Sequence, residues 1–78
     1  MNGQNPLQTS IDMAADLREA LYDNIAGLIW NADSVCRYLM EGDDTGLIYA
    51  YRRMREHDLA AVRTFADLMA LKQSEGDR

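Results

Sequence analysis

Residues that cross-link a chain or carry chemistry are scarce in this sequence of 78 residues, which has one cysteine, one histidine and one proline. The lone Cys36 excludes an internal disulfide. One cysteine with His57 cannot supply the four ligands of a structural zinc site. We find no residue spacing typical of a metal, phosphate or cofactor site. The sequence therefore predicts a protein that is not an enzyme and that needs neither metal nor cofactor.

Long apolar runs are missing as well. The longest, from Ile25 to Trp30, is far shorter than the roughly 20 residues of a membrane-spanning helix. The stretch from Met1 to Pro6 has no basic segment followed by an apolar one, so it does not resemble a secretory signal. We therefore expect no membrane association and a cytoplasmic location, where a free thiol stays reduced.

Positive charge is also in short supply, since the net charge is -5 and the estimated pI is about 4.5. Such a balance disfavours binding to nucleic acid or to anionic lipid surfaces. It suits a basic protein surface. The sequence thus favours another protein, with a basic surface, as the partner.

The remaining pattern is helical. Residues 1–8 read as a flexible leader, followed by Thr9 and Ser10 as capping candidates and by apolar residues at helical spacing from about 10 to 41. Gly42 is well placed for a left-handed helix end, so we expect a turn over 42–46, a second helix over about 46–73 and a frayed tail over 74–78. A cap at Asn31 or Asp33 would instead divide the first helix and give three helices.

The apolar arcs of the two helices are wider than one helix pair can cover. Because a large apolar patch that stays wet normally marks an interface, we expect an all-α antiparallel hairpin that dimerises into a four-helix bundle. Arg55 and Asp58 interrupt the arc of the second helix, where they could pair with each other or across the dimer. The residues that we assign to this dimer interface are Leu21, Ile25, Leu28, Tyr51, Met54, Arg55, Asp58, Val62 and Phe65.

Trp30 breaks the pattern, because it falls on the polar side of the first helix. Tryptophan is the residue type most enriched at binding hot spots, and acidic neighbours would steer a basic partner. We therefore assign partner binding to Glu19, Asp23, Trp30, Ser34 and Arg37. Trp30 could alternatively pack on the dimer partner, or the helix could bend at Asn31.

The function that the sequence favours is a small acidic interaction module, which regulates or inhibits a partner protein by binding it. Accessory proteins of phages and plasmids are a class-level analogy. One alternative is a hairpin dimer that binds RNA through a face with Arg52 and Arg53. Three arginines with few interleaved aromatics are a weak signal for RNA, however, so we expect nucleic acid not to be the partner. The other alternative is a structural subunit of an assembly.

Overall fold

A computed structural model describes residues 6–76, which form two antiparallel α-helices. Helix α1 spans Pro6–Glu41 and helix α2 spans Asp44–Gly76. The described part of the chain contains no strand. The all-α helical hairpin expected from the sequence is therefore confirmed.

A two-residue linker, Gly42 and Asp43, reverses the chain. Gly42 has a φ of 71°, a backbone conformation that favours glycine. The amide of Asp43 donates to the Tyr38 carbonyl over 3.0 Å and the amide of Gly42 to the Leu39 carbonyl over 3.4 Å, which is the Schellman arrangement. The Asp43 carboxylate then accepts from the Gly46 amide over 3.0 Å and caps α2. The turn is thus shorter than the predicted 42–46.

The outer helix ends also differ from the predicted ones. Helix α1 already begins at Pro6, since proline tolerates a first helical position, where its missing N–H would have no partner. Thr9 and Ser10 consequently lie inside the helix and not at its start. Helix α2 continues to Gly76, beyond the predicted end at 73. The rest of the predicted leader and tail, residues 1–5 and 77–78, lies outside the described residues.

Helix α1 is not divided near Asn31. The Asn31 amide nitrogen donates to the Gly27 carbonyl over 2.7 Å, so this side chain satisfies the backbone of its own helix. The Ser34 hydroxyl donates in the same way to the Trp30 carbonyl over 3.4 Å. Side chains bonded back to the preceding turn are compatible with a continuous helix. The three-helix alternative is therefore not observed.

The two helices meet along one seam, whose residues alternate in spacing between three and four. This is the heptad repeat of a coiled coil, in which every second contact falls on the same edge. All seam residues are buried or half-buried. They are Ser10, Ala14, Leu17, Leu21, Asn24, Leu28, Asn31, Val35 and Tyr38 in α1, and Leu47, Ala50, Met54, His57, Ala61, Thr64, Leu68, Leu71 and Glu75 in α2.

The two edges of the seam differ in polarity. One edge is apolar except for Glu75 at the terminal end, with Ala14, Leu21, Leu28 and Val35 in α1 and Leu47, Met54, Ala61 and Leu68 in α2. The other edge carries the remaining polar seam residues, which are Ser10, Asn24, Asn31, Tyr38, His57 and Thr64. The apolar part of the contact is therefore displaced towards one side of the hairpin.

The hairpin is a flat layer, 58 Å long, 24 Å wide and 13 Å thick. Among the described residues, the buried apolar side chains are Ala14, Ala50, Ala61 and Leu68, and no large side chain is fully buried. One layer of two helices leaves two broad sides open. These two sides hold the candidate sites.

Candidate functional site

An apolar surface covers the side of the hairpin next to the apolar edge of the seam. It consists of the residues that follow each seam residue by one position, and we call it the apolar face. Ten of the fifteen exposed large apolar side chains of the described chain lie here. They are Ile11, Tyr22, Ile25, Ile29, Leu39, Ile48, Tyr51, Val62, Phe65 and Met69.

The two helices contribute to this face together. A depression of about 340 Å³ is lined by Leu21 and Ile25 from α1 and by Asp58, Ala61, Val62 and Phe65 from α2. Nearer the linker, a depression of about 720 Å³ is lined by Val35, Leu39, Leu47, Ile48, Tyr51, Arg52 and Arg55. Both are shallow and apolar, so the face offers sockets for apolar side chains along most of its length.

The residues assigned to a dimer interface divide into two groups. Leu21, Leu28 and Met54 are half-buried on the apolar edge of the seam between the two helices of the same chain. Ile25, Tyr51, Arg55, Asp58, Val62 and Phe65 are exposed on the apolar face. The sequence pattern merged these two groups because they occupy neighbouring heptad positions in each helix.

The opposite side of the hairpin contains Trp30, whose side chain is 74% exposed. A pocket of about 320 Å³ beside it is lined by Trp30, Asn31, Ser34 and Tyr38 from α1 and by Tyr49, Ala50 and Arg53 from α2. We call this pocket the tryptophan pocket. It brings together two of the predicted partner-binding residues, Trp30 and Ser34, with Tyr38, which sequence reasoning missed, and with Tyr49 and Arg53. Sequence reasoning assigned Arg53 to the RNA-binding alternative and not to the site of Trp30.

The charge next to the tryptophan pocket is positive. The Arg53 guanidinium lies 5.9 Å from the centre of the Tyr49 ring, within cation–π range. Arg37 donates to the Ser34 hydroxyl over 3.1 Å and forms an ion pair of 3.4 Å with Asp33. No acidic residue lines the pocket. Arg53 is therefore the one charged residue of its lining.

The two acidic residues that we predicted for partner binding lie elsewhere. Asp23 is exposed on the same side as Trp30 but seven residues nearer the terminal end, roughly 10 Å along the helix. Glu19 is exposed on the outer surface of α1, facing away from both α2 and the pocket. Neither carboxylate lines the tryptophan pocket, so Trp30 and the acidic residues do not form one compact site.

The seam is closed tightly on the tryptophan side. A Cβ atom built on Gly27 would lie only 2.6 to 2.8 Å from the ring of His57, and one on Gly46 would lie 2.5 to 2.8 Å from the ring of Tyr38. The two glycines therefore make room for two rings of the facing helix. A glycine inside a helical pattern is the signal that could have revealed this close approach.

Within residues 6–76, no group of histidine, cysteine and acidic side chains is arranged to hold a metal ion. Neither described helix is apolar over a length that could cross a membrane. Cys36 is exposed as a free thiol on the apolar face.

Comparison with protein-family models gave no match, and comparisons with curated proteins and with solved structures gave none either.

Proposed function

We propose that the protein is a protein–protein interaction module that works as a homodimer, with the apolar face covered by a second copy. The observation that carries this proposal is the exposure of ten large apolar side chains on one side of a flat hairpin. Apolar patches of this extent normally mark an interaction surface.

The lack of an internal core supports the dimer. A domain buries its apolar surface between packed layers, and the described hairpin is a single layer without one fully buried large side chain. Chains of this size commonly need a disulfide, a metal or oligomerisation to be stable. A second hairpin on the apolar face would enclose both the exposed residues and the apolar edge of the seam. That arrangement is a four-helix bundle.

Size also fits a dimer. A face 58 Å long and 24 Å wide exceeds the roughly 800 Å² that each partner contributes to a standard stable interface. The occupied area would be mostly apolar, as in obligate homodimers.

Sedimentation equilibrium at micromolar concentration tests the dimer. We expect a mass twice that of the 8.8 kDa chain, and an unfolding midpoint that rises with protein concentration because dissociation accompanies unfolding. A monomer mass together with a concentration-independent midpoint would contradict the homodimer.

The tryptophan pocket is the surface that we propose for a different partner protein. An exposed tryptophan surrounded by polar groups has the composition of an interface hot spot. Dimerisation through the apolar face leaves this side of both copies open. Bound there, the module would regulate or block its partner by covering the surface that it contacts.

The partner would meet two charged regions. The N-terminal half of α1 is acidic, with Asp16, Glu19 and Asp23, and suits a basic surface. Arg53 in the tryptophan pocket instead suits a hydrogen-bond acceptor or a carboxylate. We therefore propose a partner whose basic groups contact the terminal half while an apolar side chain packs on Trp30.

Affinity capture with matched baits tests the pocket. Trp30→Ala should lose a partner that the unchanged protein retains, with binding weakened by roughly 30-fold. Met40→Ala is the control, because Met40 is 90% exposed on the outer surface of α1. Equal retention by both variants would place the binding surface elsewhere. RNA in the captured material, recognised by its absorbance and lost on ribonuclease treatment, would favour the RNA-binding alternative.

A further inference from the structure

Two charged side chains, Arg18 and Asp58, interrupt the middle of the apolar face, and a third, Arg55, lies at its outer margin. A fourth, Lys72, lies close to the terminal end. A charge enclosed in an apolar interface is costly unless an opposite charge or water reaches it. Each way of pairing two hairpins brings different charges together, so these residues discriminate between the possible arrangements.

The heights of these residues along the hairpin follow from the two close contacts of the seam. Gly27 meets His57 and Gly46 meets Tyr38. The residue numbers add up to 84 in both pairs. Any two residues of α1 and α2 whose numbers add up to 84 therefore lie at the same height along the hairpin. Asp58 is consequently level with Ala26, eight residues or about 12 Å from Arg18.

Two hairpins can cover each other's apolar faces with their linkers at the same end or at opposite ends. With the linkers at the same end, every residue is level with its own copy. Arg18 then faces Arg18 and Asp58 faces Asp58 across the interior of the bundle. Like charges at equal height in a low-dielectric interior repel each other.

With the linkers at opposite ends, the order of heights is reversed from one copy to the other. A two-fold axis midway between Arg18 and Asp58 brings each Arg18 level with Asp58 of the partner. This axis passes at the height of Tyr22 and Val62, close to the middle of both helices, so the apolar faces still overlap over nearly their whole length.

We infer that the apolar face is covered by a second copy with its linker at the opposite end, and that Arg18 of each copy pairs with Asp58 of the other. This inference rests on the proposed homodimer. Arg55 lies farther from the two-fold axis and on the outer margin of the face, beside Arg52, where its guanidinium reaches water. The charge pairs thus determine the orientation, while the apolar side chains supply the affinity.

A distance between the two linkers tests the orientation directly. Spin labels attached to Asp44→Cys, in a chain that also carries Cys36→Ala, should lie about 54 Å apart in the dimer, because 36 residues of helical rise separate the two positions. Linkers at the same end would give a distance near the 24 Å width of the hairpin. The short distance in a dimer overturns the orientation, whereas a monomer mass overturns the homodimer itself.

Charge reversal tests the pairing. Arg18→Glu and Asp58→Arg should each raise the dimer dissociation constant about tenfold or more, and the double variant should return to within roughly threefold of the unchanged protein. Arg63→Glu is the matched control, since it makes the same charge change away from the apolar face and should leave the constant unchanged. If the linkers lay at the same end, the single variants would only exchange one like-charged pair for another. Unchanged dissociation constants for both single variants would therefore overturn the pairing.

Discussion

The two sides of the hairpin are formed by the same two helices but differ in how closely those helices pack. On the tryptophan side, Gly27 and Gly46 let the rings of His57 and Tyr38 fold against the backbone of the facing helix, and the seam is closed. On the apolar side, the residues next to the seam project outwards, and no part of residues 6–76 covers them. One side is therefore closed within a single chain, whereas the other stays open within residues 6–76, and we propose that a second copy covers it.

This difference shows which substitutions should act within a chain and which should act between chains. Changes on the closed side should alter the free energy of unfolding at any protein concentration. Changes on the apolar face should act through association and therefore depend on concentration. The following variants test this division.

The largest effect is expected for Val62→Glu. The side chain of Val62 is 60% exposed on the apolar face, and two copies of it would be buried in the dimer. The variant should weaken the dimer by about 4 kcal/mol, since each valine loses burial worth about 2 kcal/mol. Leu59→Glu is the control, because Leu59 is 49% exposed but lies on the outer surface of α2. Sedimentation should give a monomer for Val62→Glu and a dimer for Leu59→Glu. The reverse result would show that the apolar face is not the dimer interface.

A smaller loss is expected for Asn31→Asp on the closed side. Asn31 is 9% exposed, and its amide donates to the Gly27 carbonyl. A carboxylate at this position lacks the donor and faces a carbonyl oxygen, so the free energy of unfolding at pH 7 should fall by about 2 kcal/mol. Asn24→Asp, at a more accessible seam position, should cost less in the same urea titration. Equal losses would show that the bond to Gly27 contributes little.

The effect of Gly27→Ala on the free energy of unfolding should change sign when the His57 ring is removed. In the unchanged protein the new methyl group would collide with the His57 ring, and we expect a loss of about 1 kcal/mol. In a His57→Ala background the collision is absent, and the same change should stabilise by about 0.5 to 1 kcal/mol through helix propensity. Thermal unfolding of the unchanged protein, the two single variants and the double variant measures the coupling energy between the two substitutions. A coupling energy of zero would show that the close approach of Gly27 and His57 does not affect stability.

The smallest effect is expected for Trp30→Ala. A side chain that is 74% exposed contributes little to folding, so the free energy of unfolding should change by less than about 0.5 kcal/mol. Leu68→Ala provides the contrast, because Leu68 is 6% exposed and its truncation should cost about 3 kcal/mol.

Trp30 is the only tryptophan, and its fluorescence should be quenched by added iodide in the folded protein. A protected tryptophan would place Trp30 in an interface instead.

Helix class and the position of the reversal could be predicted because they depend on local signals. Gly42 marked the helix end, and the absence of an internal proline allowed two long helices. The helix starts were harder, since Thr9 and Ser10 have the composition of caps but lie in an already formed helix. Local capping signals indicate where a helix can begin, but they do not determine where it does.

The division of apolar residues between the seam and the apolar face was not predicted. A period of 3.6 residues assigned both sets to one wide arc, whereas the structure separates them into two heptad patterns that differ by one residue. Leu28 and Ile29 illustrate this, since one is half-buried and the other is 62% exposed. Likewise, Trp30 could be placed outside the apolar arc from the sequence, but its neighbours Tyr49 and Arg53 come from the other helix and depend on the register of the hairpin.

The linker of Gly42 and Asp43 joins the helices at one end only, and nothing covalent joins them at the other. Opening of the hairpin should therefore begin at the termini, and protection of backbone amides against hydrogen exchange should decline from the linker towards both chain ends. In a dimer with linkers at opposite ends, the joined end of each hairpin lies against the unjoined end of the other. Each copy would then stabilise the terminal end of its partner, which is the part that unfolds most readily. Amide protection would become nearly uniform along the bundle.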